Sequence, residues 1–264
     1  MADAHTSTQL TTADLALADS PDALQDKVIA ITGAGAGIGQ AMALDFARAG
    51  AHVVLIGRTQ EKLEAVYDQI EAATQTQPIL LPIDLADITP DNARELAFGI
   101  EQTYGRLDGL LLNASLLGDK MSIQQYSPTV WRKVMQVNLD SSFYLSQALL
   151  PLLMAGKHGR LIFTTSSVGR QGRGYWGAYA VSKFATEGLM QTLADEVGTI
   201  SALRVHCINP GGTRTAMRAA AYPAEDPSEV PAPEAHAPFY RYLMSDHSQA
   251  FNGVSWDARD FLPA

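Results

Sequence analysis

The chain has 264 residues, 47% of them apolar, with a net charge of −9, six histidines and a single cysteine. That length suits one large α/β unit with a sizeable core, and the acidic balance argues against a nucleic-acid partner. Cys207 excludes an intrachain disulfide, and the histidines lack ligand spacing, so no metal is expected. No early apolar run is long enough for a signal peptide or a membrane span, which makes the cytoplasm the expected location.

Residues 1–24 are rich in Ala, Thr, Asp and Ser and read as a flexible arm. Lys27 to Ile31 is an apolar strand, followed by Thr32-Gly33-Ala34-Gly35-Ala36-Gly37-Ile38-Gly39 and a helix from Ile38 to Ala49 that Gly50 ends. Glycines in that turn let backbone amides approach a pyrophosphate at a helix N-terminus. His52 to Ile56 is the second strand, and it runs into Gly57-Arg58. A dinucleotide fingerprint places the group facing the adenosine 2′-position here. Gly57 offers no carboxylate, whereas Arg58, with Thr59 beside it, can pair with a 2′-phosphate, so NADP(H) is expected over NAD(H). The plainer reading of Arg58 is a solvated charge at a helix start.

Thr59 caps a helix with the stripe Leu63, Val66, Tyr67 and Ile70. Ile79 to Ile83 is a third strand in which Pro82 is expected to disturb pairing, and Asp84 behind it reads equally well as a turn cap. Thr89-Pro90 opens another helix, and Leu107 to Leu112 is the fourth strand. Long helices are predicted over residues 129–150 and 176–197, separated by the strand Gly159 to Thr165, with Ser166 at its carboxyl end. Residues 214–238, rich in Ala, Pro and acids, read as a mobile segment, and Gly253 to Trp256 as the last strand. Alternating strands and helices imply an α/β fold, a doubly wound parallel sheet with helices on both faces.

Tyr179 and Lys183 lie four positions apart on one helix face, where a cation beside a phenol favours phenolate and makes a usable acid/base. Alone, such a pair is common on ordinary helices. Ser166 at a strand end and the glycine turn after the first strand make it a candidate site.

With these motifs the chain resembles the short-chain dehydrogenase/reductase family over about residues 25–257, and within it the YciK-type bacterial oxidoreductases, through the runs Ser166 to Arg173 and Pro210 to Met217. The resemblance implies a single Rossmann domain over residues 25–264, with residues 213–238 as a substrate lid. It implies catalytic roles for Ser166, Tyr179, Lys183 and Asn138: Tyr179 as general acid/base, Ser166 on the same oxygen, Lys183 on the nicotinamide ribose, and Asn138 holding a relay water. Cofactor contacts would come from Thr32, Gly33, Gly37, Ile38, Gly39, Arg58, Thr59, Asp84, Leu85, Asn113, Lys183, Pro210, Gly211, Thr213 and Thr215. The expected reaction is NADP(H)-dependent hydride transfer to or from a small carbonyl or alcohol substrate, in a homodimer or homotetramer formed through the two long helices. A non-catalytic dinucleotide sensor or scaffold is the alternative, and a methyltransferase ranks far behind.

Two departures stand out. Leu112-Asn113-Ala114-Ser115 replaces Asn-Asn-Ala-Gly, putting a side chain where glycine normally runs beside the cofactor. Asp257-Ala258-Arg259 replaces Asp-Gly-Gly, which favours a dimer over a tetramer. Leu116, Leu117, Trp176, Met217 and Tyr222 could form an apolar pocket, while Arg170, Arg173, Arg214 and Arg218 flank it; an anionic substrate is the minority reading.

Overall fold

The computed structural model describes residues 10–74 and 76–262. Seven strands form one parallel sheet in the order β3-β2-β1-β4-β5-β6-β7. They are β1 Val28–Thr32, β2 His52–Gly57, β3 Ile79–Pro82, β4 Gly109–Leu112, β5 Arg160–Thr164, β6 Arg204–Asn209 and β7 Val254–Asp257. The central strands β1, β4 and β5 are buried at every position, as expected for strands covered on both faces.

Helices α1 Gly37–Arg48, α2 Gln60–Ala73 and α8 Ala237–Met244 share one apolar cluster. Helices α3 Pro90–Tyr104, α5 Ser141–Ala155 and α6 Gly177–Gly198 share a second. The expected doubly wound α/β architecture is therefore present. From β1 the chain winds outward to β2 and β3, then returns to β4 and winds the other way. The loops after β1 and β4 diverge there, opening the crevice where such sheets bind ligands.

Several local expectations are revised. Pro82 does not break a ladder: β3 is an edge strand, and the next amide, Ile83, bonds the Gly57 carbonyl. Successive amides point to opposite sides, so the nitrogen of Pro82 faces the open edge, where no donor is needed. The loose arm expected over residues 1–24 is absent from residue 10 onward, while residues 1–9 lie outside the described residues. Leu10, Leu15, Ala18 and Leu24 are buried in the same cluster as α8, with a 3₁₀ turn over Thr12–Ala18. Asp19 and Asp45 both accept from the Arg241 guanidinium, at 2.9 and 2.8 Å, tying this segment and α1 to α8.

The helix predicted over residues 129–150 is α4 Pro128–Met135 and α5 joined by a π turn, Gln136–Asp140. Such turns insert one residue into a helix and concentrate at functional sites. The segment read as mobile, residues 214–238, contains α7 Ala216–Ala221 and two 3₁₀ turns, and it buries Val230 and His236. No described helix is long and apolar enough to cross a membrane. The outer faces of α5 and α6 leave Phe143, Val181 and Phe184 exposed.

Two buried histidines are expected to make the fold acid-sensitive. Burial and the nearby Arg160 push His206 down to about 3, and burial and Arg259 push His236 down to about 4, from an ordinary 6.5. Trp256 Nε1 donates to His206 Nδ1 at 3.4 Å, which the neutral ring can accept. Between pH 6.5 and about 4 the unfolded chain binds protons that the folded chain refuses. Stability is therefore expected to fall on acidification through that window, by up to about 1.4 kcal/mol per histidine per pH unit. Urea titrations at pH 7, 6 and 5 check this. A flat stability for the wild type, or an equal slope in the double variant His206→Asn/His236→Gln, would assign the acid response to other groups.

Candidate active site

A groove of about 560 Å³ opens at the carboxyl ends of β1, β4 and β5. One wall is the β1–α1 turn, with Gly33, Ala36, Gly37 and Ile38. The close packing behind that turn demands glycine: a Cβ on Gly39 would strike the Gly33 carbonyl and lie 2.8 Å from Asn113 Nδ2. The N-terminus of α1 is thus drawn against β4, and Gly37 and Ile38 of its first turn line the groove, where a helix start favours an anion. The other wall is Ser166, from the end of β5, with Tyr179 and Lys183 from the first turns of α6.

Lys183 is 2% exposed, and its Nζ donates to the Thr164 carbonyl at 2.7 Å while sitting 5.5 Å from the Tyr179 ring centroid. Burial pushes the ammonium down to about 8. Burial likewise pushes the Tyr179 phenol up to about 12, against a smaller opposing pull from the Ser166 hydroxyl. The expectation of a phenol lowered by its lysine is corrected on this point. Desolvation is the larger cause, and Lys183 directs its hydrogen bond to the Thr164 carbonyl and not to the phenol. Tyr179 is therefore a protonated donor at neutral pH.

Asn138 lies inside the π turn and does not line the groove. Its Oδ1 accepts from the Leu116 amide at 2.7 Å, and its Nδ2 donates to the Leu116 carbonyl and to Ser182 Oγ, both at 3.0 Å. Ser182 Oγ in turn donates to the Tyr179 carbonyl at 2.8 Å. The extra residue of the π turn aims the carboxamide at both the β4 loop and α6. Thr32 also stands behind the groove, not in it: its hydroxyl accepts from the amides of Asn113 and Ala114 at 2.9 and 3.0 Å. Thr32, Gly39 and Asn138 therefore frame the site without lining it.

Pro210, Gly211, Thr213 and Thr215 line the far end after β6. Gly211 has φ +69°, and a Cβ there would lie 2.5 Å from Arg259 Nε, so the Arg259 of the departed Asp-Gly-Gly motif packs on this loop. Asn209 Nδ2 donates to Asp257 at 2.5 Å, and Asp257 also receives Arg170 at 2.6 Å. Arg170 contacts Glu187 of α6 at 3.3 Å as well, so it holds elements together and is not free for a substrate anion. His236 Nε2 meets Thr213 Oγ1 at 2.9 Å, and that hydroxyl can reach the Pro210 carbonyl at 3.3 Å.

Arg58 lies at the opposite end, where an adjoining cavity of about 260 Å³ is lined by Arg58, Thr59, Lys62, Asp84, Leu85 and Lys133. Arg58 has no ion-pair partner among the described residues. Asp84 Oδ1 accepts from the Ala86 amide at 2.9 Å, the turn-capping contact. Lys62 and Lys133 escaped the sequence reading; the only signal for Lys62 was its place one helical turn after Arg58. Ser115 lines both cavities, its φ is not in the left-handed region, and its buried Oγ has no partner. The backbone conformation at this position does not require glycine. No group of three or more His, Cys, Asp or Glu among the described residues is arranged to hold a metal.

These features fit a dinucleotide: a glycine turn at a helix N-terminus, free cations at the second strand, and an orphan hydroxyl between the two ends. The family model for short chain dehydrogenase matches residues 27–226. The chain is 52% identical over 238 residues to the uncharacterized oxidoreductase YciK of Escherichia coli (strain K12), covering 90% of this chain and 94% of that protein. A short chain dehydrogenase from Shigella flexneri 2a str. 301, complexed with NADP, is 51% identical with a TM-score of 0.89, over 91% of this chain and 100% of that one. One from Escherichia coli CFT073, complexed with NADPH, is 51% identical with a TM-score of 0.88, over 91% and 99%.

Proposed function

Given that this chain belongs to the short-chain dehydrogenase family, and to its YciK-type oxidoreductases, we propose that it is an NADP(H)-dependent reductase of carbonyl compounds, reversible toward alcohols. The observation that carries this reading is the groove itself, with a dinucleotide turn on one wall and Ser166, Tyr179 and Lys183 on the other. NADPH, when bound, supplies the hydride. Tyr179 then gives its proton to the oxygen that becomes alkoxide, and Ser166 donates a hydrogen bond to the same oxygen. Lys183 holds the nicotinamide ribose. Asn138 is a positioning residue: its carboxamide is committed to Leu116 and Ser182, and its main-chain carbonyl, which accepts from Ser142 Oγ at 3.3 Å, keeps a second lone pair to hold a relay water leading to Lys183.

Gly33, Gly37 and Ile38 receive the pyrophosphate, Arg58 and Thr59 the 2′-phosphate, Asp84 and Leu85 the adenine, and Asn113 with the Pro210–Thr215 loop the nicotinamide end. Thr32 and Gly39 support that frame from behind the groove. Residues 213–238 act as a lid over the substrate. The exposed apolar residues of α5 and α6 support a homo-oligomer formed through those helices.

NADPH and NADH oxidation over a panel of ketones, aldehydes and quinones tests the reading. NADPH consumption with any of them supports it. Tight NADPH binding with no turnover on the whole panel would favour a dinucleotide sensor instead.

Ser115 supplies a sharper check. An unpartnered buried hydroxyl costs about 1–3 kcal/mol. Ser115→Ala should therefore raise the Tm of the free protein by roughly 2–12 °C, and it should weaken NADPH by roughly 3- to 10-fold if the hydroxyl serves the cofactor. Unchanged NADPH affinity by titration would remove Ser115 from the binding set.

A further inference from the structure

The substrate end of the groove has a charge pattern that narrows what it can take. Beyond Ser166 and Tyr179 its wall is Leu117, Trp176, Met217, Ala221 and Tyr222. Trp176, Tyr179 and Ala221 are buried in one apolar cluster, with Leu117, Met217 and Tyr222 packed against it. The Trp176 ring centroid is 5.8 Å from that of Tyr179 and 5.9 Å from that of Tyr222, so the three rings form a continuous surface around the reacting hydroxyl.

Three cations line the groove: Arg58, Lys183 and Arg218. Arg58 stands at the adenosine end, and Lys183 is bonded to the Thr164 carbonyl. Arg218 is the one cation at the substrate end, and it is already neutralised. Its Nε donates to Glu225 at 2.6 Å, its Nη2 pairs with the other carboxylate oxygen, and its guanidinium lies 3.8 Å from the Tyr222 ring centroid. Arg214 lines a different cavity, and Arg170 is held by Glu187 and Asp257.

Lys120 does not line the groove but stands behind its wall. Its Nζ donates to the Ala221 carbonyl at 2.9 Å and lies 4.6 Å from the ring centroids of both Trp176 and Tyr222. One ammonium thus pins the β4 loop to the end of α7 and fixes two rings at once.

We propose that the substrate end of this groove selects an uncharged carbonyl compound with an apolar, ring-sized body, with Trp176 and Tyr222 setting that selectivity and Lys120 acting as the positioning residue that holds both rings. The inference rests on the reductase reading. An anionic body would meet an apolar lining whose one cation, Arg218, is already paired, while Lys120 and Arg173 lie outside that lining and are turned to the Ala221 carbonyl and the Tyr222 hydroxyl, so it would lose hydration without a partner inside the groove. A flat apolar body gains burial against the indole and phenol at no such cost.

The test pairs benzaldehyde with 4-carboxybenzaldehyde. Turnover with NADPH is followed, and separately each aldehyde is titrated into the NADP⁺ complex by quenching of Trp176 fluorescence, with Trp176→Phe as the blank. Benzaldehyde is expected to exceed its carboxylated analogue by roughly 10-fold or more in kcat/KM and in affinity. Lys120→Met should raise KM for benzaldehyde roughly 3- to 10-fold with kcat and NADPH affinity held, since it loosens the wall without touching the reacting atoms. A carboxylated aldehyde preferred by wild type, and lost selectively in Lys120→Met, would make Lys120 an anion receptor and overturn the proposal. Neutral-selective quenching without turnover would uphold the substrate class while sinking the reductase reading. No quenching by either aldehyde would overturn the class itself.

Discussion

Replacing Tyr179 with Phe should lower kcat by roughly 10²- to 10⁴-fold while leaving NADPH affinity almost unchanged. The ring stays, so its packing against Trp176 survives and only the donor is lost. Because burial holds the phenol at about 12, it is fully protonated at neutral pH and equipped for the reductive direction. The group that titrates nearest the working range is Lys183, which burial brings down to about 8. Its ammonium is present below that pH and is lost above it. Carbonyl reduction should therefore hold steady up to about pH 8 and decline beyond. Single-turnover rates at saturating NADPH, from pH 6 to 10, measure this for wild type and for Lys183→Met. A Tyr179→Phe enzyme with near-normal kcat would end the acid/base assignment. A wild-type decline that persists unchanged in Lys183→Met would assign the break elsewhere.

Arg58→Glu should reverse cofactor choice. The guanidinium stands unpaired at the end of β2, where a 2′-phosphate would meet it through charge-assisted bonds. Losing those bonds and placing a carboxylate there should reduce kcat/KM for NADPH by roughly 100-fold, while NADH is spared or improved as its 2′-hydroxyl gains an acceptor. The ratio of the two kcat/KM values reports the outcome. If the NADPH preference survives, Lys62 and Lys133 on the same cavity carry the phosphate, and Arg58 is the solvated charge its position also allows.

Much of this molecule could be read before folding, because the informative signals were local. Alternating apolar strands and helices gave the doubly wound sheet, and Tyr179, Lys183, Ser166 and the glycine turn converge on one groove. What escaped depends on distant partners. Asn138 reads as an ordinary helix residue until the π turn and the Leu116 backbone meet it. Arg170 and Arg218 look available for an anion until Glu187, Asp257 and Glu225 pair with them. The upward direction of the Tyr179 shift is not legible in the sequence, because proximity to a cation is visible in spacing whereas burial is not. Pro82 looked like damage because edge and centre of a sheet cannot be told apart within one strand.

The buried segment from Leu10 to Leu24 bears on how the protein is made. Its apolar residues rest in the cluster that contains Phe239 to Met244, and Asp19 is tethered by Arg241. Translation delivers the first of these partners long before the second. At about 5–20 residues per second, more than two hundred intervening residues leave the leading segment without its seat for roughly 10–40 s. The nascent chain must therefore carry an unsatisfied apolar stretch through most of its synthesis, a natural client for ribosome-associated chaperones. A chain stalled before α8 emerges should expose residues 10–24 to protease, and release of α8 should close the ring of contacts between the two ends.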